Sequence, residues 1–188
     1  MTGWLLAALF FLAVFNPAAV ALLLARADGR PSTRDALLGR LPAVAASIVV
    51  LALLALGADG LLDALELSLS TFQIAAGVLI VFGALQAFLA LGLAPEDVSV
   101  GWANVRLLVW LLSPAPLALA VAVGADEGFL FAATALLIGA LAAFALAAVW
   151  LLWRGLEGRV LLSWLRCLIA AGAVLAAVNL IRQGVENV

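Results

Sequence analysis

Histidine, lysine and tyrosine do not occur in this 188-residue chain, and cysteine occurs once, at Cys167. Without histidine, the commonest general base and the usual zinc ligand are missing; without lysine, no Schiff-base chemistry is open. A single cysteine excludes an intramolecular disulfide, and Cys167, between Arg166 and Leu168, reads as a small apolar packing group. Charge is scarce: 11% of residues are charged, against about a quarter in a soluble domain. A net charge of −2 and the lack of any basic run exclude nucleic acid as a partner. Nothing implies a cofactor or a metal, and with no nucleophile–base pair the chain reads as no enzyme.

What remains is apolar. Hydrophobic residues make up 68% of the chain, more than one water-soluble domain can bury, so a lipid bilayer is the expected partner. Six runs approach the roughly 20 residues needed to cross a bilayer as a helix. They are Trp4–Ala25, Leu41–Leu56, Phe72–Gly92, Val105–Val123, Phe129–Trp153 and Leu162–Ile181. None has the period-two alternation of a barrel strand, so the expected fold is all-α. The first ionisable side chain is Arg26, so a cleaved signal peptide is not expected and residues 4–25 read as a retained span.

Polar connectors separate the runs: Arg26–Arg40, Gly57–Glu66, Ala94–Asn104, Gly124–Gly128 and Arg154–Arg159. Arginine clusters in or beside the first, third and fifth, while the second and fourth hold only acids. The positive-inside bias then puts odd-numbered connectors in the cytoplasm and both termini outside, with Arg182 the one dissent. Ser70 and Thr71 read as caps of the third helix.

The chain looks internally repeated. Asn16-Pro17 in the first run matches Ser113-Pro114 in the fourth at a spacing of 97, and Ile74–Gly77 recurs as Ile169–Gly172 at a spacing of 95. Residues 1–188 then form one transmembrane domain, with residues 1–93 as the first three-helix repeat and 104–186 as the second. Three spans per half make the second half upside down, an inverted-topology repeat of the kind secondary transporters use.

Proline has no N–H and clashes with the carbonyl four residues back. Pro17 therefore frees the carbonyl of Ala13, while Pro114 and Pro116 free those of Trp110 and Leu112. Spans one and four should be broken or kinked there, and breaks at matching positions of two halves mark a candidate midplane binding site. Asn16, Pro17, Ser113, Pro114 and Pro116 form that candidate substrate site. The alternative is that the prolines only kink their helices. Gln73, Gln86 and Asn179 are further intramembrane amides that either contact substrate or join helices. All eleven acids fall in connectors or at span ends, which disfavours a carboxylate relay and suits a neutral or zwitterionic solute. Backbone N–H groups after each proline could receive its carboxylate. The small-residue faces Gly83/Ala87, Gly139/Ala143/Ala147 and Gly172/Ala176 allow close helix approach, within the chain or in a homo-oligomer.

Leu67-Ser68-Leu69-Ser70-Thr71-Phe72-Gln73-Ile74-Ala75-Ala76-Gly77 resembles the opening of the third span in MarC-family membrane proteins of the LysE-like exporter superfamily. The acidic stretch Asp59–Glu66, the Asn16-Pro17 break and the proline-containing fourth span fit the same layout of a divergent, short member. The resemblance implies six spans, a bacterial cytoplasmic (inner) membrane location, and export of a small polar solute such as a neutral amino acid by alternating access. Two rivals stay open: a non-transporting structural or assembly protein, and a membrane enzyme using Asp59, Asp63 or Glu66.

Overall fold

The computed structural model describes residues 2–26, 33–89, 103–154 and 159–188. Nine helices and no strand occur among them: α1 (Thr2–Phe15), α2 (Pro17–Arg26), α3 (Thr33–Leu56), α4 (Ala58–Ala64), α5 (Leu69–Leu89), α6 (Ala103–Leu111), α7 (Pro114–Glu127), α8 (Phe129–Arg154) and α9 (Arg159–Glu186). The Ala/Leu/Val runs make helices because alanine and leucine favour them and a helix pairs each backbone N–H with a carbonyl of its own segment.

The two helices that follow the proline breaks lie inside. In α7 every residue from Ala118 to Gly124 is buried, and in α2 so are Pro17 to Ala21. Small side chains there let the surrounding helices close on them. The outer faces of α3, α5, α8 and α9 carry exposed Leu53, Phe82, Leu141 and Leu175. That distribution of apolar surface is compatible with a membrane-embedded protein.

Four segments among the described residues are long and apolar enough to cross a membrane: Gly3–Ala21, Leu38–Leu56, Phe129–Trp150 and Trp164–Glu186. Ala58–Ala64 with Leu69–Leu85, bent by 102°, counts as a fifth when taken together. The expected fourth span does not count by itself, because it is divided into α6 with 9 residues and α7 with 14.

Several boundaries differ from the sequence expectation. The first connector was expected to reach Arg40, but α3 starts at Thr33, holds Pro42 within it, and buries Arg40 to 5% exposure. The Gly57–Glu66 connector is largely the short helix α4; its turn into α5 passes through Glu66 in the left-handed region (φ 54). The cap of α5 is Ser68, not Ser70 or Thr71: the Ser68 hydroxyl accepts the Thr71 N–H at 3.2 Å and lies 3.0 and 2.9 Å from the Ser70 and Thr71 hydroxyls. The cap lies one residue before the helix because only there can a side-chain oxygen turn back onto the first free N–H groups. Residues 94–102 and 155–158 of the third and fifth connectors lie outside the described residues. Gly128 closes the α7–α8 connector with φ 86, a left-handed position suited to glycine.

Helices α5 and α9 run antiparallel in close contact. A Cβ on Gly77 would lie 2.7 Å from the Ala177 carbonyl, and one on Gly184 would lie 2.6 Å from the Ser70 carbonyl. The tetrapeptides Ile74–Gly77 and Ile169–Gly172 fall on these two helices but not in one register. Ala75 is exposed where Ala170 is buried, and Ala76 is buried where Ala171 is exposed. That match is a product of composition, not of equivalent position.

Candidate functional site

The chain is interrupted at both prolines. At the first, Asn16 adopts φ 52, a left-handed conformation that asparagine tolerates better than most residues. Its backbone N–H still reaches the Leu12 carbonyl (3.1 Å), and its own carbonyl accepts from Val20 (3.1 Å). The side chain does two further things. Oδ1 accepts the Ala19 N–H at 3.2 Å, capping α2, and Nδ2 donates to the Arg166 carbonyl on α9 at 2.9 Å. In an unbroken helix Ala19 would donate to Phe15 instead. The vacated Phe15 carbonyl takes the Trp110 indole N–H from α6 at 3.3 Å. The break in one span is thus held by a residue four before the proline of the other.

At the second break Ser113 is extended (φ −65, ψ 161), and Pro114 opens α7. The Trp110 carbonyl freed by Pro114 accepts the Ser113 N–H at 3.2 Å. The Ser113 hydroxyl makes no capping bond. Because Pro114 and Pro116 are the first and third residues of α7, Ala115 alone offers an N–H among its first three. A carboxylate site needs several convergent donors. This helix start cannot supply them, so the expected carboxylate cradle is not built there.

A cavity of about 850 Å³ joins the two breaks. Asn16, Ser113 and Pro114 line it together with Trp110, Gly83 and Ala173. Of the residues expected to form a site, these first three are brought together. Pro17 and Pro116 are buried in the packed helices and do not line the cavity. Gln73 is 1% exposed on α5, away from the cavity, with its Oε1 unpartnered. Asn179 is half-buried on α9 and also outside it. The Gln86 side chain lies outside the described residues.

Sequence reasoning missed Trp110, which both lines the cavity and pins the opposite break. An indole four residues before a proline is the readable signal, since its own carbonyl is the one that the proline frees. The wall residues Leu79, Ile80, Val105 and Val109 are indistinguishable in sequence from lipid-facing ones. None of the lining side chains among the described residues is ionisable.

No family model, curated protein or solved structure matches the chain.

Proposed function

We propose that the protein is a six-span secondary transporter of a small uncharged or zwitterionic solute, built from two inverted three-helix halves that alternate around the cavity between the broken spans. Neutral amino acids are the solute class that the MarC-like residues imply. The cavity, with both breaks on its wall, is the observation that carries this reading.

Burial supports the two halves. In α3, Arg40, Ala43, Val44, Ser47, Leu51 and Ala55 are buried; so are their counterparts 92 positions on in α8, from Ala132 to Ala147. Gln73, Ala76 and Ile80 of α5 correspond in the same way to Ala170, Ala173 and Ala177 of α9, 97 positions on. Phe11 and Phe15 before the first break match buried Leu107 and Leu111, 96 positions on, whereas Pro17 after it matches Pro114, 97 positions on. The one-residue change falls at the breaks, where Leu112 and Ser113 stand in place of the single Asn16. Packing follows the same correspondence: α3 lies along α8, α5 along α9, α1 against α8 as α6 against α3, and α2 against α8 as α7 against α3.

One pair departs from it. α1 packs on α9, but among the described residues α6 has no comparable packing on α5. In an inverted repeat such an inequality is what exchanges between the two access states. The α1–α9 contact is then a closed gate, and the α5–α6 separation an open one.

A disulfide tests this. A Cβ on Gly172 lies 3.7 Å from the Ala13 Cβ, within disulfide reach. Ala13→Cys with Gly172→Cys, in a chain whose Cys167 is serine, should lose counterflow of radiolabelled neutral amino acids in proteoliposomes when oxidised. Dithiothreitol should restore it. Counterflow indifferent to the disulfide contradicts alternation at this gate, and a reduced protein that moves no neutral amino acid contradicts the solute class.

The assembly-protein reading is less well supported, because the small-residue faces it needs are occupied within the bundle. Gly139 meets α1 and Gly83 meets Ala115 of α7.

A further inference from the structure

We infer that the cavity binds a single-chain amphiphile with an uncharged, hydrogen-bonding head, of the monoacylglycerol kind, taken in from the bilayer between α5 and α6. As cargo this molecule rests on the transport reading above; as a ligand it does not.

Size is the first ground. At about 850 Å³ the cavity is near the top of the roughly 300–1,000 Å³ range of pockets for drug-sized ligands, far more than a free neutral amino acid fills. The distribution of chemistry is the second. Side-chain polarity is concentrated at the breaks, where Asn16 retains a second amide N–H and Ser113 an uncommitted hydroxyl. Away from them the wall is apolar, from Leu79 to Ala84 on α5 and at Val105 and Val109 on α6. Such a wall suits an acyl chain.

The third ground is the open side. Among the described residues, α5 and α6 both wall the cavity without packing along each other. The lining residues at that gap, Phe82 and Val109, are 59% and 64% exposed. Phe82 lies in the middle of the third apolar run and Val109 within the first third of the fourth, so in a bilayer the α5 side of the gap faces hydrocarbon. An amphiphile can enter beside such an apolar wall with its chain still solvated by lipid. Among the described residues no lining side chain carries a charge, and α7 begins with a single N–H in its first three residues, so a head with a net charge would be buried without a counter-ion. That selects an alcohol or amide head over a fatty-acid carboxylate.

The site holds its own reporter, Trp110. A variant keeping only this tryptophan, with Trp4, Trp102, Trp150, Trp153 and Trp164 changed to Phe, is placed in phosphatidylcholine nanodiscs. It is then titrated with a monoacylglycerol brominated on its chain. Trp110 emission should fall saturably by more than half. Brominated phosphatidylcholine or brominated fatty acid at the same mole fraction should quench it much less. Ala84→Leu, which narrows the cavity wall, should weaken the monoacylglycerol effect while a variant keeping only the exposed Trp164 responds equally to all three lipids. Equal quenching of Trp110 by the three, or none by any, overturns the inference. Amino-acid counterflow without monoacylglycerol quenching would defeat this inference and leave transport standing; saturable quenching with no solute movement would do the reverse.

Discussion

Asn16→Ala should destabilise the protein by about 2–4 kcal/mol, as the sum of three losses. Alanine cannot cap α2, which costs about 0.5–2 kcal/mol. It removes the part-buried hydrogen bond to the Arg166 carbonyl, leaving that group only the donor of its own helix, a further cost of about 0.5–1.5 kcal/mol. It also leaves the left-handed angle at φ 52 to a side chain with no local hydrogen bond to hold it there, where an ordinary L-residue is disfavoured by roughly 1–2 kcal/mol. The three share one residue and do not add fully. Asn16→Gly separates them. Glycine accepts the backbone angle and is itself a tolerated cap, so it should recover about half of the loss. Denaturant unfolding in detergent micelles checks the order: wild type, then glycine, then alanine. Equal stability of the two variants would contradict the strained geometry. An alanine variant as stable as wild type would contradict the structural role altogether. The sequence alone suggests a substitution at this position that spares the fold; the two hydrogen bonds and the backbone angle reverse that expectation.

The second large effect is expected at two glycines where helices meet backbone to backbone. A Cβ on Gly124 would lie 2.5 Å from the Ala55 carbonyl oxygen and 2.8 Å from its Cα. One on Gly139 would lie 2.6 Å from the Phe11 Cβ and 2.9 Å from the Ala8 carbonyl. Main chain cannot move aside as a flexible side chain can, so α7 must leave α3, or α8 must leave α1. Gly124→Val and Gly139→Val should each lower stability by about 1–3 kcal/mol, at the upper end for overpacking. Gly39, also within a helix, has nothing within 4 Å of its ideal Cβ. Gly39→Ala should therefore raise stability by about 0.5–1 kcal/mol, the ordinary helix preference for alanine. Thermal unfolding of the three variants side by side checks this. A Gly124→Val protein that melts with Gly39→Ala would contradict the close crossing.

Much of the fold is legible in the chain because long, unbroken apolar runs leave the backbone few options. Continuous apolar runs can only be helices, and the prolines at 17 and 114 had to interrupt two of them, since a missing N–H and a ring clash act locally. What the sequence hid has equally physical reasons. Arg40 looks like part of a polar loop, yet helix α3 carries it into the interior. Helix α4 looks like a connector because seven residues give too little periodicity to recognise. At the candidate site, Asn16 and Ser113 were readable because polar residues beside a break in hydrocarbon need a reason. Pro17 and Pro116 shape the breaks but face packed helices. Gln73 is an amide with an unpartnered oxygen in the interior, and nothing in its spacing said which face of α5 it would take. Trp110 was hidden because its hydrogen-bond partner, Phe15, is 95 residues away.

The central claim is that α5 and the broken pair α6–α7 each cross the bilayer, so that two three-span halves lie antiparallel. Single cysteines at Asp59, Asp126 and Val188, in a chain whose Cys167 is serine, test it directly with a membrane-impermeant maleimide on intact cells. All three should label from outside, while cysteines at Arg30, Asp97 and Glu157 label only after the membrane is opened; labelling of Asp97 from outside would mean that neither α5 nor α6–α7 crosses. Labelling of Asp59 and Asp126 from opposite sides would mean that an odd number of crossings separates them, and the inverted halves would be contradicted.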